Sequence, residues 1–240
     1  FYDVGEHGEI RLRGADWNDA IDMAKDRGES VAFTAAYAGN LANLAKLLKA
    51  YRQKTGETAC MLSEELWMLL PENTAIYDDI AKKKALLEQF FAATAHAVSG
   101  KKKSIAIELL EQKLAEMAEW MKRHIRQSEW VGTPDGMHWY NGYYDDHGRR
   151  VEGVMQQADV PGAQSEAAVR MMLTSQVFAI MSGTATDEQV QEIIQSADCY
   201  LYDEKIGGYR LNTNFHEIKT DMGRMFGFAY GHKENGAVFC

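Results

Sequence analysis

Phe33, Tyr37, Leu41, Leu44, Leu48 and Tyr51 recur at steps of three and four residues. That spacing lays them along one face of a long helix, and Gly56 follows as a stop. Pro71 and Asn73 open a second helical stretch, with Leu86, Leu87, Phe90, Phe91 and Val98 apolar and an end near Gly100. Lys101-Lys102-Lys103 reads as the solvated start of a third helix, which carries Leu110, Leu114, Met117, Met121 and Ile125 on one face. Trp139 to Tyr144 and Arg149 to Val151 flank Asp145-Asp146-His147-Gly148, a turn signal that predicts a short hairpin. A loop is expected over residues 153 to 165, with Pro161-Gly162 in it. Helix returns with Val169, Met172, Leu173, Val177 and Ile180, and again at Thr186, where Thr186 and Gln189 make a capping-box pattern. Gly208 to Leu211 reads as strand, and a Gly- and aromatic-rich segment closes the chain. Helices follow helices without strand–helix alternation, which excludes a parallel α/β sheet and predicts a mainly α, toroid-like arrangement.

Composition narrows the partners. Of 240 residues, 46% are apolar and 25% charged, ordinary values for a globular protein with a sizeable core. A net charge of −9 argues against nucleic acid, which usually needs a basic face. Cys60, Cys199 and Cys240 are odd in number and widely spaced, so neither a zinc pattern nor a disulfide framework is expected. The scattered histidines predict no metal, no P-loop predicts a nucleotide, and no apolar run predicts a membrane span or signal peptide. Phe1-Tyr2-Asp3 and the apolar Gly236 to Cys240 both read as mid-domain sequence, so a piece of a longer protein is expected.

Chemistry concentrates in Arg13-Gly14-Ala15-Asp16-Trp17-Asn18-Asp19. An indole can pack on the C–H face of a sugar, and a carboxylic acid beside it can protonate a leaving sugar oxygen. The competing reading is a helix N-terminus, where Asp and Asn serve as caps. Asp16 suits either sugar contact or orientation of the loop through backbone N–H groups. Arg13 suits either a sugar hydroxyl or an ion pair with Asp16. Trp139, Tyr140, Tyr143 and Tyr144 could build a stacking wall or glue a hairpin to the core. Glu234, in a Gly-flanked segment, reads as a functional carboxylate, and Lys233 beside it divides evenly between function and surface.

Several segments resemble one family. Gly14 to Asp19, Phe33-Thr34-Ala35-Ala36-Tyr37, Ser182-Gly183-Thr184-Ala185-Thr186 and Lys233-Glu234-Asn235-Gly236-Ala237 are similar to the catalytic domain of glycoside-hydrolase family 94. That family holds the cellobiose, cellodextrin and chitobiose phosphorylases and the phosphorylase-like domain of cyclic β-1,2-glucan synthases. Trp139 to Asp146 and Gly208 to Phe215 resemble its β-1,2-oligoglucan phosphorylase branch. The resemblance implies that residues 1–240 form part of an (α/α)6 barrel cut at both ends. It also implies inverting phosphorolysis of β-linked glucosides, cellobiose or β-1,2-oligoglucans, to α-glucose 1-phosphate.

In that family Asp19 would be the general acid, Trp17 would line the sugar site, and Lys233 and Glu234 would bind on the acceptor side. Asp16 and Arg13 join them as candidate substrate contacts. No cofactor is implied; inorganic phosphate is a co-substrate and, being an anionic nucleophile, needs no second carboxylate as base. The cysteine usage leads to the expectation of a reducing, cytoplasmic setting, and the resemblance implies a homodimer in the complete protein. Family phosphate ligands follow the stretch matching Phe239-Cys240, and donor-site arginines precede Phe1, so these residues alone are expected to be inactive. The alternatives are a transglycosylating domain attached to a glucan synthase and a non-catalytic sugar-binding helical domain.

Overall fold

A computed structural model describes residues 1–155 and 168–238. Helix α1 (Val31–Thr55) begins where the Ser30 side chain accepts the Phe33 N–H, and ends at Gly56, whose φ of 76° is the left-handed turn expected of a stop. Its existence matches the apolar stripe; its buried face does not. Tyr37, Leu44 and Tyr51 are exposed, while Val31, Ala32, Ala35, Ala38, Gly39 and Ala45 are buried. Small side chains let neighbouring backbones come close: a Cβ on Gly39 would stand 2.9 Å from the Ser182 Cα. Against this face pack α3 (Ile107–Ser128), buried through Leu110, Leu114, Met117, Met121 and Ile125, and α4 (Leu173–Met181).

Helix α2 (Ile80–Thr94) is shorter than the expected stretch from Pro71 to Gly100. Asp79 caps it by accepting the Lys82 N–H, and 3-10 turns over Glu64–Leu69 and Thr74–Asp78 occupy the approach. Lys102–Ala106 is strand β4, paired antiparallel with β3 (Ala59–Ser63), not the start of a helix. Ile105 alone of β4 is buried, so the alternation that marks a strand is hidden under exposed lysines. Val169 lies on strand β9 (Ala168–Arg170), paired with β8 (Gly153–Met155), so α4 starts later than its apolar pattern indicates. Pro161-Gly162 lies outside the described residues. Helix α5 (Asp187–Tyr200) carries the expected capping box between Thr186 and Gln189.

Strand β1 (Ile10–Arg11), β2 (Glu29–Ser30) and β7 (Tyr143–Tyr144) form a three-stranded sheet with β2 in the centre. Trp139 and Tyr140 belong to β6 (His138–Tyr140), which pairs with β5 (Trp130–Gly132), a hairpin not anticipated. The anticipated turn at Asp145–Gly148 is present, closed by an Arg149 N–H donated to Asp145 Oδ1 at 2.9 Å and a bridge from Tyr144 to Arg150. Strand β11 (Gly208–Tyr209) pairs with β10 (Tyr202–Asp203). One hydrophobic cluster, including Ile21, Ala32, Tyr143, Met172, Met225 and Phe226, joins the residue 12–24 loop to α1, β7 and the closing segment.

Candidate active site

Two consecutive turns shape the loop that carries Trp17 and Asp19. Asp16 Oδ1 accepts the Asn18 N–H at 2.9 Å, then Asn18 Oδ1 accepts the Ala20 N–H at 3.1 Å. Short polar side chains fold such turns onto their own backbone. Asn18 is buried, and its carboxamide also reaches Met225 Sδ at 3.3 Å. The loop rests on the segment after Met222. Gly223 comes so close that a Cβ there would stand 2.1 Å from the Ala20 carbonyl oxygen. Met225 donates its N–H to Ala20 O at 3.0 Å, and Arg224 reaches the Asp19 carbonyl oxygen at 3.2 Å. Asp19 is held by its backbone while its carboxylate is exposed and makes no hydrogen bond to the described residues.

Trp17, 47% exposed, lines a pocket of roughly 430 Å³ with Leu173, Val177, Phe178, Met181 and Leu211. This wall suits the apolar face of a sugar ring or another flat apolar group. Asp16 is half-buried, and its Oδ2 accepts the Ser30 hydroxyl at 2.7 Å. Burial pushes its carboxyl above the usual range, against the pull of the Ser30 and Asn18 hydrogen bonds. The Tyr143 phenol beside it is fully buried, and burial first, then the Asp16 charge, pushes its ionisation well up. Tyr143 is therefore a neutral phenol throughout the physiological range.

Arg13 pairs with Asp3 through bonds of 2.8 and 3.0 Å, not with Asp16 as one reading of the sequence had it. Arg13 has a φ of 61° and Lys233 a φ of 50°; with His216 they are the non-glycine residues in the left-handed region among those described. Such strain is retained where surrounding structure demands it, often at functional loops. Lys233 and Glu234 occupy a tight turn closed by the Asn235 N–H donated to His232 O at 3.1 Å. The Lys233 ammonium lies 4.7 Å from the centre of the Phe228 ring. Asn212 docks this turn, donating to Asn235 Oδ1 at 3.0 Å and accepting the Gly236 N–H at 2.7 Å. Leu211, next to Asn212, lines the same pocket as Trp17.

Trp139, Tyr140, Tyr143 and Tyr144 are all buried, which settles them as packing groups and not a stacking wall. Sequence reasoning passed over Ser30, because a lone serine before a helix is an ordinary cap. It also passed over Glu152, which is 1% exposed and accepts N–H groups from Gly142 at 2.8 Å and Met172 at 2.7 Å and the Ser175 hydroxyl at 2.9 Å. Burial pushes that carboxyl up to about 8. No spacing signals a solitary buried glutamate. Among the described residues no three His, Cys, Asp or Glu side chains gather as a metal would require, and no helix is long and apolar enough to cross a membrane.

The pinned loop thus presents an exposed carboxylate two residues from an indole that lines an apolar pocket. Residues 88–240 match the catalytic domain of the glycosyl hydrolase 94 superfamily, and the chain belongs to that family. The Lys233–Glu234 turn lies within the matched residues, and the Asp16–Asp19 loop precedes them. The chain is also similar to solabiose phosphorylase from Paenibacillus borealis, with 31% identity over 131 residues. That match covers 55% of this chain and spans 15% of the length of the Paenibacillus protein.

Proposed function

We propose that the chain carries the acid loop of an inverting phosphorylase acting on β-linked glucosides, with Asp19 as the general acid. The observation that carries this reading is the Asp19 carboxylate, exposed and unpaired among the described residues on a backbone fixed by Arg224 and the Asn18 turn, two residues beyond the indole of its apolar pocket. Trp17 packs on the sugar. Asp19 gives its proton to the glycosidic oxygen as the bond from the anomeric carbon breaks. Inorganic phosphate, arriving from the opposite face, forms the new C–O bond with inversion, yielding α-glucose 1-phosphate and a shortened sugar. Lys233 and Glu234 hydrogen-bond the departing acceptor sugar. Asp16 acts through the loop, and Arg13 contributes by bracing the loop's start against Asp3. The helices belong to an (α/α)6 barrel in the complete polypeptide, which we expect to be a cytoplasmic homodimer.

The test uses the complete polypeptide, incubated with solabiose, cellobiose and β-1,2-linked glucobiose, with and without inorganic phosphate. Phosphate-dependent release of glucose 1-phosphate is expected on one of them. Asp19→Asn should slow it by about 10² to 10⁴-fold, the usual contribution of a general acid. Equal cleavage without phosphate would replace the reading with hydrolysis. Sugar binding without any cleavage would replace it with a non-catalytic domain.

A further inference from the structure

Ser30 acts in two directions through one atom. Its Oγ accepts the Phe33 N–H at 2.9 Å, capping α1, and donates to Asp16 Oδ2 at 2.7 Å. A hydroxyl has a single proton, so the cap takes one lone pair and leaves the proton for Asp16. Ser30 pairs directly with Tyr143 across the β2–β7 ladder, which sets both side chains on one face of the sheet. That face meets the acid loop. Glu29 and Tyr144, the next pair in the ladder, turn to the other face, where His7 bonds Glu29 at 2.7 Å and stacks on Tyr144 at 3.6 Å.

Order passes from the sheet to the loop in discrete bonds. Asp16 is gripped by Ser30 on one oxygen and holds the Asn18 N–H with the other. Asn18 holds the Ala20 N–H with its side chain and the Ile21 N–H with its carbonyl at 2.9 Å. Asp19 sits inside this chain of bonds and contributes no side chain to it. We propose that Ser30 is a positioning residue for Asp19, fixing through Asp16 the two turns that carry the acid. The kinetic part rests on Asp19 being the acid; the structural part does not.

Two variants separate this role from simple capping. Ser30→Gly caps a helix nearly as well as serine but has no proton for Asp16. Ser30→Thr keeps both functions. Amide hydrogen exchange on the chain should accelerate at Asn18, Ala20 and Ile21 by about tenfold or more in Ser30→Gly, with the body of α1 still protected. Ser30→Thr should restore wild-type exchange. In the complete polypeptide Ser30→Gly should lose about 10 to 100-fold in kcat with the KM for phosphate unchanged, since a misplaced acid acts on the transition state alone. Exchange unchanged in Ser30→Gly would overturn the proposal. So would loosened turns with wild-type kcat. If the wild-type polypeptide releases no glucose 1-phosphate, the phosphorylase reading fails, and the exchange measurement still decides whether Ser30 orders the loop.

Discussion

Glu9 is fully buried, and neither of its carboxyl oxygens has a hydrogen-bond partner. His124 Nε2 stands 3.3 Å from one oxygen but is engaged with the His7 carbonyl at 2.8 Å. Glu29 from β2, Glu129 beyond α3 and Lys83 from α2 are the charged groups that act on it. Burial first, then the Glu129 and Glu29 charges, pushes its carboxyl well above the usual range. Glu9 holds its proton more tightly folded than unfolded. Its contribution to stability is therefore complete below the ordinary carboxylate range and is lost as pH climbs through the folded value. Glu9→Gln is uncharged at every pH and escapes that loss. Comparing urea midpoints of the two proteins between about pH 5 and pH 9 should show the balance moving steadily towards the variant as pH rises. A constant difference would mean that Glu9 ionises freely in the folded chain. Nothing in the sequence marks Glu9, Glu29, Glu129 or Glu152 as buried, because a single acid among polar neighbours has no period. Trp17 and Asp19 stand out in the sequence for the opposite reason: an indole between acids is rare in a loop.

Helix α5 shows how a local signal can be tied to the core. The Thr186 hydroxyl accepts the Gln189 N–H at 3.3 Å, and Gln189 Oε1 accepts the Thr186 N–H at 3.1 Å. The same Gln189 oxygen takes the hydroxyl of buried Tyr140 at 2.7 Å, linking the cap to β6. Thr186→Ala should cost about 1 kcal/mol and Thr186→Ser almost nothing, as N-caps go. Gln189→Ala should cost more, about 2 to 3 kcal/mol, because it also strands the Tyr140 hydroxyl. Urea unfolding orders the three, and equal losses for Thr186→Ala and Gln189→Ala would show that the Tyr140 bond contributes nothing. Caps such as these, with the stripes of α1 and α3, made the long helices legible. Their orientation was not. In α1 Tyr37, Leu44 and Tyr51 face outward and several alanines inward, since close approach of Ser182 to Gly39 selects for small size, not hydrophobicity. Strands β3 and β4 escaped notice because their pairing partner lies beyond a helix, and their exposed residues carry no alternation.

Helix α4 repeats that inversion and extends it to the surface of the molecule. It buries Thr174, Ser175 and Gln176; Ser175 donates to Glu152 and Gln176 to the Tyr140 carbonyl. Val177, Ile180 and Met181 consequently face out, and Met181 is 76% exposed. From there the apolar surface continues through Phe178 to Phe33, with rings 5.8 Å apart, and from Phe33 to Tyr37 on α1 at 6.0 Å. Ile194 on α5 and Trp17 flank it on either side. A contiguous apolar surface rimmed by charges favours association, and burying each side chain of this kind contributes about 1.5 to 3 kcal/mol. The chain of residues 1–240 should therefore self-associate in a concentration-dependent way, visible as a rising weight-average mass in sedimentation across a dilution series. Ile180→Lys combined with Met181→Lys should shift it towards monomer without lowering its urea midpoint, because neither side chain is buried in the single chain. A monomer at every concentration would show that Phe178 and Leu173 withdraw the surface from contact. Association that survives both lysines would move the contact to the Tyr37, Leu44 and Tyr51 face of α1, and the same measurement on Leu44→Lys would then locate it.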